Sequence, residues 1–367
     1  MKVLNGLCVF VAASISLFAQ QPTSSPVVSA ANAPSQTTPQ NSASGKGRQI
    51  SLDVAVTDKS GKPQTGLQQE DFTLLDNKTP QKIQSFSAVN QLTVNADLPI
   101  EVILLIDTMN TDSDSISDAR LQIEKYLRHN GGKLAYPTSI AAFSDSGLKM
   151  SGTPSLDGNA LIASLKATKD IGLRSLRATA GRSGDSDRFV ASITGLNALV
   201  ASQSKVPGRK LVIWFSSGWP LLIGTEVSMS LKTKQYLFAS VVAASEALRR
   251  FHITLYEIDP NNTLGGANRS AKFSYLSFVK GVSSAGDVSP TNLSLQVLAT
   301  QSGGKVLINS NDIASEIQTC VDDANAFYVL SFDRVISERP DQYHSLEFKL
   351  NKPGLTVRTT TGYYTQP

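Results

Sequence analysis

Few side chains in this chain are placed to do chemistry. The three histidines are His129 at a predicted helix end, His252 at the head of a predicted buried strand and His344 in a β-rich tail. None sits in a nucleophile motif, and Gly-x-Ser-x-Gly is absent. The two cysteines are Cys8 and Cys320. Cys8 falls in an apolar leader, so processing leaves one thiol, which permits neither an intramolecular disulfide nor a Cys/His zinc cluster. Cys320 lies in the series Ile313, Ile317, Cys320, Val321, Ala324, the spacing of one helix face, and is expected in the core and not as a reactive thiol. No glycine-rich phosphate loop follows a strand. What remains is Asp107, which ends the apolar run Ile100 to Ile106 and precedes Thr108, Met109, Asn110 and Thr111. A strand-end carboxylate can cap its own loop by accepting from backbone N–H groups, and Thr111 can do likewise. It can also serve a hydrolase, the enzyme alternative, because a doubly wound sheet hosts many chemistries. Asp112 and Asp114 stand where acidic residues complement a helix dipole; the other use for them is a loosely held Ca²⁺.

The elements that must position Asp107 follow from periodicity. Ile50, Leu52, Val54 and Val56 alternate with Ser51, Asp53, Ala55 and Thr57, as in a half-buried strand. Phe72 and Leu74 alternate again, Asp76 to Pro80 turns the chain, and Ile83 with Phe86 marks a third strand. Residues 48–96 are therefore expected to form an N-terminal β unit. Over 97–325 strands and helices alternate. Ile100 to Ile106 reads as a buried parallel strand. A helical face follows at Ile116, Ala119, Ile123, Tyr126 and Leu127, then a strand at Ile140 to Phe143, a helix over Leu156 to Leu165, and a helical face at Phe189, Ile193, Leu196, Leu199 and Val200. Pro207-Gly208 stops that helix before the strand Lys210 to Phe215. Leu237 to Leu248 is helical, His252 to Ile258 a strand, Leu295 to Thr300 a helix and Lys305 to Ile308 a strand. This alternation predicts an α/β, Rossmann-like, mostly parallel sheet covered by helices on both faces, with its binding edge at the strand C-termini. The segment 326–367 returns to strands at Phe327 to Phe332, Leu346 to Leu350 and Leu355 to Thr361. The two flanking β segments are expected to meet in a small β-sandwich.

Composition narrows destination and partners. The chain has 367 residues, 41% hydrophobic and 17% charged, enough for a full-sized core. Its formal net charge is +4, and it has no long run of Lys or Arg, so nucleic acid is not an expected partner. Met1-Lys2, an apolar stretch from Leu7 to Phe18 and Ala19-Gln20-Gln21-Pro22 have the three parts of a secretory signal peptide. A membrane anchor is the other reading; the stretch is shorter than the about twenty apolar residues a span requires, and Ser14 and Ser16 interrupt it. Residues 1–19 are thus predicted to be removed, leaving no integral membrane span. Cys8 lies too early for a lipoprotein site. Residues 20–47, dominated by Ser, Thr, Gln, Pro, Ala and Asn, are expected to be a disordered linker. The protein is expected to be secreted or periplasmic, at the cell envelope.

Several stretches together resemble a known family. Ile103-Leu104-Leu105-Ile106-Asp107 with Thr108-Met109-Asn110-Thr111 resembles the first strand and metal loop of a von Willebrand factor A (vWA) domain. Val54 to Gly61, Gly66-Leu67, Glu70-Asp71-Phe72, Pro207-Gly208-Arg209-Lys210, Trp214-Phe215-Ser216-Ser217-Gly218, Tyr328 to Phe332 and Gly362-Tyr363-Tyr364 resemble the VWFA-related domain family abundant in Acidobacteria. The likeness covers about residues 48–366. It implies a vWA fold and, where the site is intact, Asp-x-Ser-x-Ser after the first strand, a later Thr, and an Asp before Gly at the end of the fourth strand. Those oxygens would hold Mg²⁺, whose octahedral shell a partner carboxylate completes. In this chain Asp107 keeps the first position and Thr111 replaces the last hydroxyl, but Met109 stands where the middle Ser belongs. Asp-Gly becomes Ser217-Gly218, and Thr179, Ser183 and Ser186 are unclear matches for the later Thr.

The resulting expectation is a non-enzymatic vWA-like module mediating protein–protein interaction or adhesion, with Asp107 and Thr111 as a degenerate site for Mg²⁺ or Ca²⁺. A metal-independent envelope scaffold is the alternative. The expected partner surface comprises Asp107, Thr108, Asn110, Thr111, Ser217 and Trp219, on the strand C-terminal edge framed by Asp107 to Ser115, the polar loop from Arg174 to Asp187 and the Ser216 to Trp219 loop; a second insertion runs from Asn261 to Pro290. Trp219 is read either as an exposed aromatic contact or as a residue packed beneath its own loop.

Overall fold

The structure is a computed structural model that describes residues 49–90, 99–168, 182–220, 222, 229–261, 275–308, 311–334 and 339–365. The chain divides into two units, residues 1–44 and 45–367, and the described residues all belong to the second. The predicted signal peptide and linker lie outside them, as do residues 174–181 of the first polar loop and 262–274 of the second insertion.

The alternation at Ile50 to Val56 becomes strand β1 (Gln49–Thr57), with Ile50, Leu52, Val54 and Val56 all buried. Strands β2 (Phe72–Asp76) and β3 (Thr79–Gln81) form a hairpin across Asn77 and Lys78, both at positive φ (46° and 68°), the conformation a two-residue hairpin turn demands. Strand β4 (Ile83–Asn90) follows.

Next come β5 (Ile100–Asp107), α1 (Ser113–Arg128), β6 (Lys133–Ser144), β7 (Gly147–Asp157), α2 (Gly158–Ala167), α3 (Arg182–Gln203), β8 (Arg209–Phe215), α4 (Leu231–Arg250), β9 (Ile253–Ile258), α5 (Leu295–Gln301), β10 (Val306–Leu307) and α6 (Ile313–Val321). They build a six-stranded sheet in the order β10-β9-β8-β5-β6-β7. Every pair is parallel except β6–β7. The period of two sorts the central strands onto opposite faces. Val102, Leu104, Ile106, Leu211, Ile213 and Phe215 pack with Ile123 of α1, Leu161 of α2 and Ile317 of α6. Ile103, Leu105, Val212 and Trp214 pack with Leu196 of α3, Val241 of α4 and Leu298 of α5. The expected helix cover on both faces is present. Cys320 is fully buried on the first face, and burial pushes its thiol well up.

Two expectations are corrected here. The helix read over Leu156 to Leu165 begins only at Gly158, and residues 147–157 are an antiparallel edge strand returning from β6. That strand carries Gly152 at φ 70° and Pro154, residues that break the apolar alternation and that an edge strand tolerates because one side needs no ladder. Of Leu355 to Thr361 only β13 (Thr356–Arg358) is strand, and β14 (Gly362–Tyr364), which follows, belongs to a different sheet. The crossing point is held where Thr361 N donates to the Gln301 carbonyl and Leu346 N to that of Thr361.

With β11 (Ala326–Asp333) and β12 (Tyr343–Leu350), these strands meet the N-terminal ones in two four-stranded sheets, β13-β1-β11-β4 and β14-β12-β2-β3. The flanking segments therefore pair as expected: β1 and β4 both lie antiparallel to β11, and β2 to β12. Their shared core is aromatic, with Phe72, Phe86, Tyr328 and Phe348 in mutual contact.

Two charge clusters lock the sandwich to the α/β layers. After α6, the fully buried Asp323 accepts from Arg358 (Nη1 2.8 Å, Nη2 2.6 Å), Lys305 Nζ (3.2 Å) and Tyr256 Oη (2.9 Å). At the N-terminal end of the large sheet, Asp53 of β1 faces His252 Nδ1 at 3.1 Å and Arg209 Nε at 3.8 Å. Burial works to raise the Asp53 pKa, but the His252 hydrogen bond and the nearby cations outweigh it and hold the carboxyl below its ordinary value. The Asp53 hydrogen bond and charge raise the His252 pKa. The Asp53 contribution is present above the ordinary aspartate pKa and lost as pH falls through its depressed folded value. The His252 contribution is full below the ordinary histidine pKa and lost as pH rises through its raised one. The pair thus stabilises most between those two ordinary values. His252→Asn keeps a side chain that accepts the positive φ of 53°. It is expected to cost about 1 kcal/mol at pH 5 to 6, and a difference from wild type that shrinks toward pH 9 in urea titrations would confirm the sign.

Candidate functional site

The parallel order reverses between β5 and β8, where doubly wound folds open a crevice at the strand C-termini. Their register runs from Ile100 opposite Arg209 to Ile106 opposite Phe215, so the residues just beyond, Asp107 and Ser216, end side by side. Leu105 faces Trp214 across the same ladder, and the period of two puts Trp214 and Asp107 on one face.

Here Asp107, fully buried, is surrounded by donors. Its Oδ1 accepts from the backbone N–H groups of Met109 (3.0 Å) and Asn110 (2.9 Å). Its Oδ2 accepts from Asn110 Nδ2 (2.9 Å), Trp214 Nε1 (3.1 Å) and Ser216 Oγ (3.0 Å). Burial pushes the Asp107 carboxyl above the ordinary carboxylate range, and the donors pull against that. Asn110 Nδ2 also donates to Ser192 Oγ on α3 (2.9 Å), and Thr108 Oγ1 donates to the Phe143 carbonyl at the end of β6 (3.0 Å). Asp112 is the N-cap of α1, accepting from Ser115 N and Oγ. The loop from β5 is therefore tied to β6, β8 and α3 by its own polar groups.

The expected metal loop takes a different shape. Met109 is buried in the core face shared with Trp214 and Leu196, so the middle position of the loop is a packing residue. Thr111 Oγ1 accepts from Ser217 N (3.1 Å). Gly218 follows at φ 89°, and a Cβ there would lie 2.0 Å from Gln296 Nε2, so the turn after β8 requires glycine. Mg²⁺ wants oxygen lone pairs, usually including a carboxylate, aimed at one point. The Asp107 carboxylate offers about four lone-pair sites, and five donors converge on it. The two nearby oxygens without a hydrogen-bond partner among the described residues, Asn110 Oδ1 and Ser217 Oγ, are neutral. The residues present do not fit Mg²⁺, and Ca²⁺, another oxygen-seeking ion, meets the same obstacle at Asp107. Of the candidates for the later Thr, Thr179 and the Ser183 side chain lie outside the described residues and Ser186 is exposed.

The expected partner surface is brought together in space but turned inward. Asp107, Thr108, Asn110, Thr111 and Trp219 are buried, and Ser217 is half-buried. Trp219 is 2% exposed and packs edge-on against Trp214 with ring centroids 5.2 Å apart, which corrects its reading as an exposed contact. Residues 182–187 of the framing polar loop belong to α3. Solvent at this edge meets Ser113, Asp114, Asp145, Ser146, Ser186 and Asp187 instead. Three members of the Asp107 network, Trp214, Ser216 and Ser192, were not singled out as its partners, although Trp214 and Ser216 lie in a stretch that carries the family resemblance. Aligning the ends of the two predicted strands, Ile106 and Phe215, would have paired Ser216 with Asp107. Ser192 falls three residues after Phe189 on a recognised helix face. Trp214 alternates with Ile213 and Phe215 within the stretch that carries the resemblance, but nothing local points its ring N–H at Asp107.

No protein-family model matches the chain, and no curated protein does. Solved structures similar to it include the human COPII-coat protein Sec24c, at 9% identity and TM-score 0.32 over 76% of this chain and 46% of that one. Another is the SpRpn10 VWA domain, at 11% and 0.30 over 60% and 94%. A third is the PilB minor pilin from Streptococcus sanguinis, at 12% and 0.35 over 63% of each chain. This chain spans less than half the length of Sec24c. The fold itself stands on the strand order and helix layers: a mixed α/β, mostly parallel sheet carrying a β-sandwich made by both ends of the described chain. Among the described residues no helix is long and apolar enough to cross a membrane.

Proposed function

We propose that this chain is a non-enzymatic, metal-independent protein-binding scaffold that works outside the cytoplasm. The observation that carries the reading is the saturation of Asp107. A carboxylate that accepts five hydrogen bonds from its own chain is neither an open ligand for a bridging cation nor a base within reach of a substrate, since it is fully buried. Its role in this reading is to fasten the β5 loop, so that the outer residues of the strand C-terminal edge form a rigid polar rim. The signal-like Met1 to Ala19 supports export, and the Ser/Thr/Gln/Pro-rich stretch after it suits a tether.

The test is calorimetry of residues 20–367 with Mg²⁺, Mn²⁺ and Ca²⁺, paired with thermal melts, because a cation that binds only the folded state raises Tm by mass action. The expected result is no saturable heat and no shift in Tm up to millimolar metal, with capture of a partner from envelope extracts unchanged by EDTA. Binding that is saturable at or below the low millimolar range and lost in Asp107→Asn would overturn the reading and restore a cation-dependent adhesion site.

A further inference from the structure

We propose that the hollow between the last turn of α1, the start of β6 and α6 is a binding site for a small organic carboxylate with an apolar stem. It lies at the N-terminal end of the large sheet, the end opposite Asp107, and stands independently of the Asp107 reading.

Strand β6 extends past its neighbour here. Its register with β5 begins with Thr138 opposite Val102, which sets Tyr136 level with Ile100, the first residue of β5. Lys133, Leu134 and Ala135 therefore project beyond β5. The space beside them, closed by α1 and α6, comprises two adjoining hollows of about 360 and 270 Å³ that share Tyr126, His129 and Gln318. The larger falls within the range of small-molecule sites, about 300–1,000 Å³.

One side chain points to a ligand. Tyr126 lines both hollows and is only 7% exposed, yet its hydroxyl has no hydrogen-bond partner among the described residues and is not sealed from solvent. A tyrosine this deep ordinarily satisfies its O–H inside the protein, as Tyr136, Tyr256 and Tyr363 do. Burial, with Asp322 nearby, pushes the Tyr126 phenol well up, so it is a neutral group with a proton to donate.

The charge lining the hollow selects the ligand. Lys133 shares the larger hollow with Tyr126, and its ammonium has no acid partner among the described residues. Lys125 is offset by Asp312 at 3.4 Å. Asp322 is engaged by Gln318 Nε2 (2.7 Å) and Asn325 Nδ2 (2.9 Å). The uncompensated charge on the wall is thus positive, and it stands with a neutral O–H donor. Those two donors complement one carboxylate, which accepts a charge-assisted bond from each. Leu134, Ala135 and Ala314 supply the apolar wall for a stem.

The probe is isovalerate, titrated to about 100 mM at constant ionic strength while NMR follows the methyl signals of Leu134, Ala135 and Ala314. The expected result is saturable shifts centred on those methyls with a Kd of about 10 mM or below, and binding of the uncharged isovaleramide weaker by about tenfold or more. Tyr126→Phe and Lys133→Gln are each expected to weaken isovalerate about fivefold or more. Tyr126→Phe should also keep the wild-type Tm, because the hydroxyl it removes makes no bond inside the protein. Lys133 is exposed, so its variant reads binding alone if Tyr126→Phe disturbs packing. The absence of saturable shifts would overturn the proposal, as would equal affinity for acid and amide, or binding that both variants leave unchanged.

Discussion

Replacing Asp323 by alanine is expected to destabilise the fold by about 3–5 kcal/mol, the cost of removing one partner from a buried ion pair while the other stays behind. Asp323 is fully buried and takes hydrogen bonds from Arg358, Lys305 and Tyr256. Burial works to raise its pKa, but the hydrogen bonds and charge of Arg358, with help from Lys305 and Tyr256, keep the carboxyl below its ordinary value. Without it, Arg358 on β13 keeps one bond to the Gly303 carbonyl and Lys305 one to that of Thr319, while Tyr256 Oη loses its acceptor. Because Arg358 comes from the sandwich and Tyr256 and Asp323 from the α/β layers, the damage falls on the seam between them. Urea unfolding measures it. The double variant Asp323→Asn, Arg358→Met should recover part of the loss, since the uncompensated guanidinium is gone. A single-variant loss below about 1 kcal/mol would mean that the cluster is no better than an exposed pair.

Asp107→Ala carries the second large effect, and its sign separates two roles for the residue. If Asp107 fastens the loop, alanine strands the N–H groups of Met109, Asn110 and Trp214 in the interior without an acceptor. Each unsatisfied buried group costs about 1–3 kcal/mol, and with partial relaxation the expected total is about 3–5 kcal/mol. The milder Asp107→Asn keeps one carbonyl oxygen for the two backbone donors and should lose roughly 2 kcal/mol. If Asp107 instead awaited a cation, its removal would relieve a buried, uncompensated charge, and the metal-free protein would hold or gain stability. Chemical denaturation in EDTA distinguishes these outcomes without any partner in hand.

Much of the architecture was legible in residue order because burial imposes a period. The run Ile100 to Ile106 and the alternating Ile50 to Val56 carry their strand type openly. Helix faces such as Ile116, Ile123 and Leu127 also state which side turns inward. Strand β7 was hidden because an edge strand needs only one ladder and keeps Gly152 and Pro154, while β13 was read too long because a three-residue strand shows no period.

The site divides along the same line. Sequence alone determined that Asp107 ends a buried strand and that Met109 and Ser217 depart from the residue pattern that the resemblance to a vWA loop implies. Only the tertiary structure decided what Asp107 does, because its partners Trp214, Ser216 and, through Asn110, Ser192 come from strands and helices about a hundred residues away. A hydrogen bond is settled by distance and direction in space. Strand register supplies the first and helix packing the second, and neither is written in the local order of residues. Trp219 makes the same point: its type suits a surface anchor or a core equally, and the neighbouring Trp214 ring placed it inside.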